Sequence, residues 1–132
     1  MLVLRASCLI PVVAIALRVA GIRRVARVML TAPRGAHLDD RRAALIGRAV
    51  HRAARIWPVP PSCLTRAIVI ARLLSREGLH ARITVGVSRA PFAAHAWIEH
   101  GALRLAGASP ARRYASLCAV DAGEAPVFVT VR

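Results

Sequence analysis

Pro58, Pro60 and Pro61 constrain this chain more than any other local feature. Proline has no backbone N–H to give a helix and pushes the residue before it toward extended backbone, so no helix passes through 58–61. Whatever precedes the break must end there, and whatever follows must nucleate afresh. On the near side, Ile46, Ala49, Val50, Ala53, Ile56 and Trp57 recur at helical spacing, while Arg48, Arg52 and Arg55 fall mainly on the opposite side. That is an amphipathic helix, and Asp39 or Asp40 caps it, because a carboxylate suits the positive end. Farther back, Ala32-Pro33-Arg34-Gly35 makes an earlier break, and the first 32 residues read as one or two apolar helices studded with Arg.

Beyond the prolines the pattern changes. Ser62 is a capping residue, and Leu64, Ala67, Ile68, Ala71 and Leu74 carry a second amphipathic helix to Glu77, where Gly78 stops it. Ala81 to Val87 then alternates, with Ile83, Val85 and Val87 on one side, and Ser88-Arg89-Ala90-Pro91 turns the chain. Ala93 to Glu99 alternates again: Ala93, His95, Trp97 and Glu99 on one face, Ala94, Ala96 and Ile98 on the other. A terminal strand is expected over Val127 to Val131. The expected class is α+β, a helical N-terminal half beside a short antiparallel sheet, with the Cys63 helix lying against that sheet. A chain of 132 residues suits one domain with one core.

Composition excludes several functions. At 57% hydrophobic the chain is not a disordered one. Its net charge of +14 comes from 20 basic residues, all Arg, in a sequence without Lys, Asn or Gln, which reads as compositional bias more than selection at each site. The charge still favours polyanions and acidic partners. Specific nucleic-acid recognition is not expected, since Trp57, Phe92, Trp97, Tyr114 and Phe128 form no stacking platform. Cysteines at 8, 63 and 118 are odd in number and lack a CxxC pair, which points to a reducing, cytoplasmic setting without disulfides. No metal-ligand spacing joins them to the histidines, so neither metal nor cofactor is expected. Cys8 and Cys118 read as buried small apolar residues, and His51, His80 and His100 as surface or helix-face histidines. At the N-terminus, Ala6 to Leu17 gives twelve mostly apolar residues, about 18 Å of helix against a hydrocarbon core of about 30 Å. It is too short to span and lacks a signal cleavage site, so a buried or interfacial helix is expected and not a spanning one.

Cys63 occupies the first helical position after the Ser62 cap. A lone cysteine is ordinarily a small buried hydrophobe. Here the thiol lies beside unsatisfied backbone N–H groups and the positive helix end, the setting that activates a sulfur nucleophile and can hold an oxyanion. His95 supplies a second group, inside a strand and flanked by alanines that leave room for the ring. A helix-start Cys with a later strand-borne His is the layout of papain-like thiol catalysis, in which imidazole takes the thiol proton and returns it to the leaving amine.

The segments Pro61-Ser62-Cys63-Leu64-Thr65-Arg66-Ala67, Leu73-Leu74-Ser75-Arg76-Glu77-Gly78, Ile83-Thr84-Val85-Gly86-Val87 and Pro91-Phe92-Ala93-Ala94-His95-Ala96-Trp97-Ile98-Glu99 with Gly101 extend the likeness. In that order they closely resemble the stand-alone lasso-peptide leader peptidases, transglutaminase-like cysteine proteases, over roughly residues 55–117. The N-terminal helices share only the general character of that family, and the last fifteen residues scarcely match it. The resemblance implies a transglutaminase-like (papain-like) core over 58–132 with a helical half over 1–57. It implies Cys63 as nucleophile and His95 as general base. It also implies three partners: the precursor peptide, a small leader-binding protein that delivers it, and an ATP-dependent macrolactam cyclase acting next.

One position departs from the pattern. The family carries an Asp after a Gly on the strand following the His strand, where this chain has Gly107-Ala108-Ser109. Glu99 shares the His95 face but lies about 13 Å along the strand, beyond hydrogen-bond reach. The downstream substitutes are Asp121, named here as a candidate orienter of His95, Glu124, Ser109 or a backbone carbonyl. Trp97 and Arg66 are candidate substrate-binding residues, with core packing and a solvated or ion-paired Arg as their ordinary roles. The same residues also allow a non-catalytic precursor-binding protein or a thiol acyltransferase, and the basic, apolar first 57 residues a nucleic-acid or membrane-surface adaptor.

Overall fold

A computed structural model of the chain describes residues 1–29, 37–89, 92–105, 115–121 and 127–128. Helices α1 (Leu2–Met29), α2 (Asp40–Ile56) and α3 (Cys63–Arg76) precede strands β1 (Arg82–Arg89), β2 (Phe92–His100), β3 (Leu103–Leu105), β4 (Ala115–Asp121) and β5 (Val127–Phe128). The strands form one antiparallel sheet in the order β3-β2-β1-β4-β5. The expected α+β arrangement is what the chain adopts.

Each helix follows from its sequence. Asp39 caps α2 from extended backbone (φ −141°), its side chain accepting from the Arg42 N–H at 3.0 Å, so the first of the two candidate caps is the one used. Ala43, Ile46, Ala49, Val50, Ala53 and Ala54 are buried, while Ile56 and Trp57, beside the prolines, are exposed. Ser62 caps α3 as expected, accepting from the Thr65 N–H at 3.1 Å. At the other end Gly78 takes a positive φ of 73°, the Leu79 N–H reaches the Leu74 carbonyl and the Gly78 N–H the Ser75 carbonyl. That pairing is a Schellman stop, and it needs a residue at ease in the left-handed region.

The core lies between α3 and one face of the sheet. Ile83, Val85, Ala96, Ile98 and Leu105 share that face through the strand register, and Ile68, Ile70 and Leu74 of α3 are buried among them. Each such aliphatic side chain contributes about 1.5–3 kcal/mol by leaving water. Helix α1 closes the core with Ala6, Ile10 and Val13, packing on α2 and α3.

The N-terminal expectation needs correction. The segment is helical from Leu2 through Pro11 and Arg18 to Met29, with a break in helical geometry at Gly21 (φ 73°, ψ 163°), in keeping with one or two Arg-studded helices; what changes is the length of the apolar run. Leu2–Val25 has a mean hydropathy of 2.1 and is long and apolar enough to cross a membrane by length and composition. An isolated Arg does not end an apolar helix, so the twelve-residue window understated the length of the apolar run. Val12, Ile15 and Val19 on its outer side are exposed, and so is Cys8, which is not the buried residue expected. Strand β4 is also absent from the sequence reading, because Ala, Ser and Cys carry little strand propensity and a register shift opposite Val85/Gly86 breaks the alternation.

A polar clamp fixes the far end of α3. The Arg42 guanidinium holds the Glu77 carboxylate with two hydrogen bonds, at 2.5 and 2.8 Å. The chain entering α2 pairs with the chain leaving α3, His37 N–H to the Gly78 carbonyl and His80 N–H to the His37 carbonyl, both at 3.1 Å. His100, read from sequence as a surface histidine, is fully buried at their junction. Its Nε2 accepts from the Asp39 N–H at 3.0 Å, which puts the ring proton on Nδ1, and Nδ1 donates to the His80 carbonyl at 2.7 Å. One neutral imidazole thus ties the ends of α2, α3 and β2 together; the Asp40 carboxylate, 3.9 Å from the accepting Nε2, adds no ion pair.

Two outcomes follow. His100→Phe leaves an N–H and a carbonyl unsatisfied in the interior and is expected to cost about 2–4 kcal/mol in urea unfolding; a loss below about 0.5 kcal/mol would show that the clamp carries no load. The hydrogen bond from Arg42 holds the Glu77 carboxyl below its usual value of 4.5, burial opposes this, and the Arg42 charge reinforces it. A lowered folded value means that stabilisation is full above 4.5 and disappears as pH falls through the folded value. The gap in Tm between wild type and Glu77→Gln should therefore be open at neutral pH and narrow as pH falls below 4.5; an unchanging gap would contradict this.

Candidate active site

Cys63 begins α3, half-buried and packed against the hydrophobic core. Two of the N–H groups at this helix end are already taken: Ser62 Oγ accepts from Thr65 and the Ser62 carbonyl from Arg66, both at 3.1 Å. The Ser62 and Thr65 hydroxyls also bond to each other at 2.9 Å, which stiffens the turn. Among the described residues no carbonyl takes the N–H groups of Cys63 and Leu64. These are the donors an oxyanion formed at the Cys63 sulfur would meet.

His95 lies on β2 opposite Gly86 of β1. A cross-strand neighbour on the same face would crowd the ring, and glycine has no side chain to do so. The β1–β4 register shifts at this same Gly86, and such irregularities re-aim side chains beside active sites. As the alternation predicts, His95 shares its face with Trp97 and Glu99, on the side of the sheet opposite Ala96 and Ile98. The His95 and Trp97 rings lie 6.4 Å apart with planes inclined by 24°. The Trp97 indole donates to Glu99 at 3.1 Å, and the Arg104 guanidinium lies 5.3 Å over the same indole. Trp97 is only 2% exposed, so it supports His95 as a platform and is not placed to touch a substrate. The Nε2 atom of His95 is sealed from solvent.

Chain direction brings the thiol and the imidazole to one end of the structure. Gly78 reverses the chain, so β1 runs back along α3, and β2 reverses again. From Leu79, α3 reaches back about 24 Å to Cys63. From Ala81, β1 reaches about 17 Å to Gly86, the partner of His95. Helix α3 packs on the Ala96–Ile98 face of β2, and His95 projects from the reverse face of the same strand. Among the described residues no hydrogen bond yet joins the Cys63 thiol to the His95 ring, which is the looser geometry that thiol sites show without substrate.

The other expected participants are distributed differently. Asp121 pairs in register with Arg82, and Arg82 with Glu99. It therefore sits about 13 Å along the strands and about 10 Å across them from His95, and this register does not make it the orienter of that ring. Ala108, Ser109 and Glu124 lie outside the described residues, as does the side chain of Cys118. Arg66 makes no ion pair among the described residues: Glu77 is held by Arg42, Glu99 accepts from Trp97, and the Arg66 Nε is buried. Among the described residues no three His, Cys, Asp or Glu side chains converge to hold a metal ion. The Gly86 irregularity and the Arg104 stack were not visible in sequence, because both depend on strand register.

A capped helix presenting a cysteine, followed by an antiparallel sheet carrying a histidine, is a recognised arrangement in proteins of known family. The family model of the transglutaminase-like superfamily matches residues 9–119, a span containing α2, α3, β1 to β3, Cys63 and His95. No curated protein and no solved structure matches the chain. That superfamily includes cysteine proteases and acyltransferases, both of which work through a thiol. With the match covering most of its length and the α+β core in place, the chain belongs to the transglutaminase-like superfamily.

Proposed function

We propose that this protein is a cysteine endopeptidase that removes the leader from a ribosomally made lasso-peptide precursor. The observation that carries the reading is a capped helix that begins at Cys63, followed by an antiparallel sheet with His95 on its second strand. The close resemblance of the blocks around both residues to the leader peptidases supplies the substrate class.

In the proposed reaction His95 takes the Cys63 proton and the sulfur attacks the carbonyl carbon of the residue ending the leader. The oxyanion is held by the Cys63 and Leu64 N–H groups. Collapse breaks the C–N bond, and His95 returns its proton to the departing amine. Water, deprotonated by His95, then attacks the thioester, releasing the leader carboxylate and restoring the thiol. A leader-binding protein delivers the precursor, and the ATP-dependent cyclase uses the freed amine.

A non-catalytic, precursor-binding role is the second reading, favoured by Ala108 in the family's Asp position. One experiment separates them. Wild type incubated with a genomically neighbouring precursor and its leader-binding partner should yield leader and core by mass spectrometry. Cys63→Ala should abolish turnover, and His95→Ala should lower it by about 10²–10⁴-fold. A precursor left intact by wild type would sink the peptidase reading, and cleavage persisting in Cys63→Ala would sink the nucleophile. Appearance of a leader amide when a primary amine is added would redirect the assignment to acyl transfer.

A further inference from the structure

A cavity of about 460 Å³ opens between α2, α3 and β3. Arg48, His51, Arg52 and Arg55 of α2 and Arg66 of α3 line it, and Arg104 of β3 borders it. Its floor is apolar, formed in part by Ile70 and Leu105. Gly47 allows β3 to close that floor, since a Cβ there would stand 3.2 Å from the Leu105 side chain.

No carboxylate lines this cavity among the described residues. The acids near these elements are committed elsewhere. Asp39 caps the opposite end of α2, Glu77 is bound by Arg42, and Glu99, across from Arg104 in register, accepts from Trp97. Arg48, Arg52 and Arg55 follow at four and three residues along one helix face, where like charges repel and destabilise the helix. The Nε of Arg66 is buried with no acceptor among the described residues. A buried guanidinium N–H without an acceptor is costly, and one such donor in a concave site rimmed by exposed arginines suits an anion supplied from outside.

We propose that this cavity is the subsite for an acidic segment of the peptide substrate, bound through Asp or Glu carboxylates. The proposal rests on the reading of Cys63 and His95 as a site that acts on a peptide. Its position supports a peptide over a nucleic acid. Arg66 is one helical turn from Cys63, and Arg104 is stacked on the indole that neighbours His95. A chain held in the cavity is thereby led toward the thiol. The indole itself is buried and offers no face to a base.

The test measures binding, so it stands apart from cleavage. Fluorescein-labelled hexaglutamate is titrated by anisotropy against wild type, Cys63→Ala, the cavity pair Arg52→Glu/Arg55→Glu, and a control pair, Arg23→Glu/Arg24→Glu on α1. Both pairs change net charge equally, and all four arginines are exposed. Wild type and Cys63→Ala should bind alike, the cavity pair at least about tenfold more weakly, and the control pair within about twofold of wild type. Arg66→Met, which keeps the stem and removes the buried Nε, should weaken binding in the same direction and guards against misfolding of the pair. Equal losses in the cavity and control pairs would reduce the effect to bulk charge and overturn the proposal. An oligothymidylate of equal charge that binds more tightly, with the same loss in the cavity pair, would overturn it in favour of nucleic acid. Hexaglutamate held by the cavity in a protein that never cleaves a precursor supports the subsite and removes the peptidase reading alone.

Discussion

The position of Cys63 is settled at the opposite end of its own helix. Helix α3 is stopped by the Gly78 Schellman turn and held to α2 by Arg42 and Glu77. It is tied to β2 by the buried His100 ring, which accepts from Asp39 and donates to His80. Since a helix is rigid over fourteen residues, fixing its C-terminal end and its buried face fixes where its first turn emerges. An uncharged imidazole suits this joint, because it offers one donor and one acceptor and needs no counter-ion in the interior.

The sheet divides structure from chemistry by its two faces. The Ile83–Ile98–Leu105 side is pressed under α3 and supplies most of the burial. The other side carries His95, Trp97 and Glu99 in a connected row, with Arg104 over the indole. The imidazole is therefore mounted on a strand whose reverse face is anchored in the core, which limits its movement relative to α3. Precision of this kind is what a thiol–imidazole site requires, since small displacements of reacting groups cost orders of magnitude in rate.

Much of this was legible in the residues. The prolines at 58, 60 and 61, the Ser62 cap, the Gly78 stop and the alternation through His95 all encode local conformation directly, and α3, β1 and β2 lie within two residues of their expected limits. Elements depending on partners were not legible. His100 falls in strand register like any terminal residue, and only the approach of Asp39, 61 positions away, explains its burial. Strand β4 is weak as a sequence and exists because β1 offers it an edge. The apolar run of α1 was cut short because an Arg was taken as a boundary that helical geometry ignores. The orienter of His95 was sought at Asp121 by elimination among few acids, and sheet register then carried that residue to the far end of β1. The arginine excess was discounted as bias, yet folding gathers several arginines around one cavity free of acids.

The central claim is that His95 activates Cys63. Cys8, exposed on α1, provides an internal reference for a thiol governed by access alone. The most direct measurement is the rate of iodoacetamide alkylation at each cysteine, read by peptide mass spectrometry in wild type and in His95→Ala. Half-buried Cys63 is predicted to react faster than exposed Cys8 in wild type, and to fall below it once the imidazole is removed. Cys63 reacting more slowly than Cys8 in both proteins, with no change on losing His95, would contradict the account.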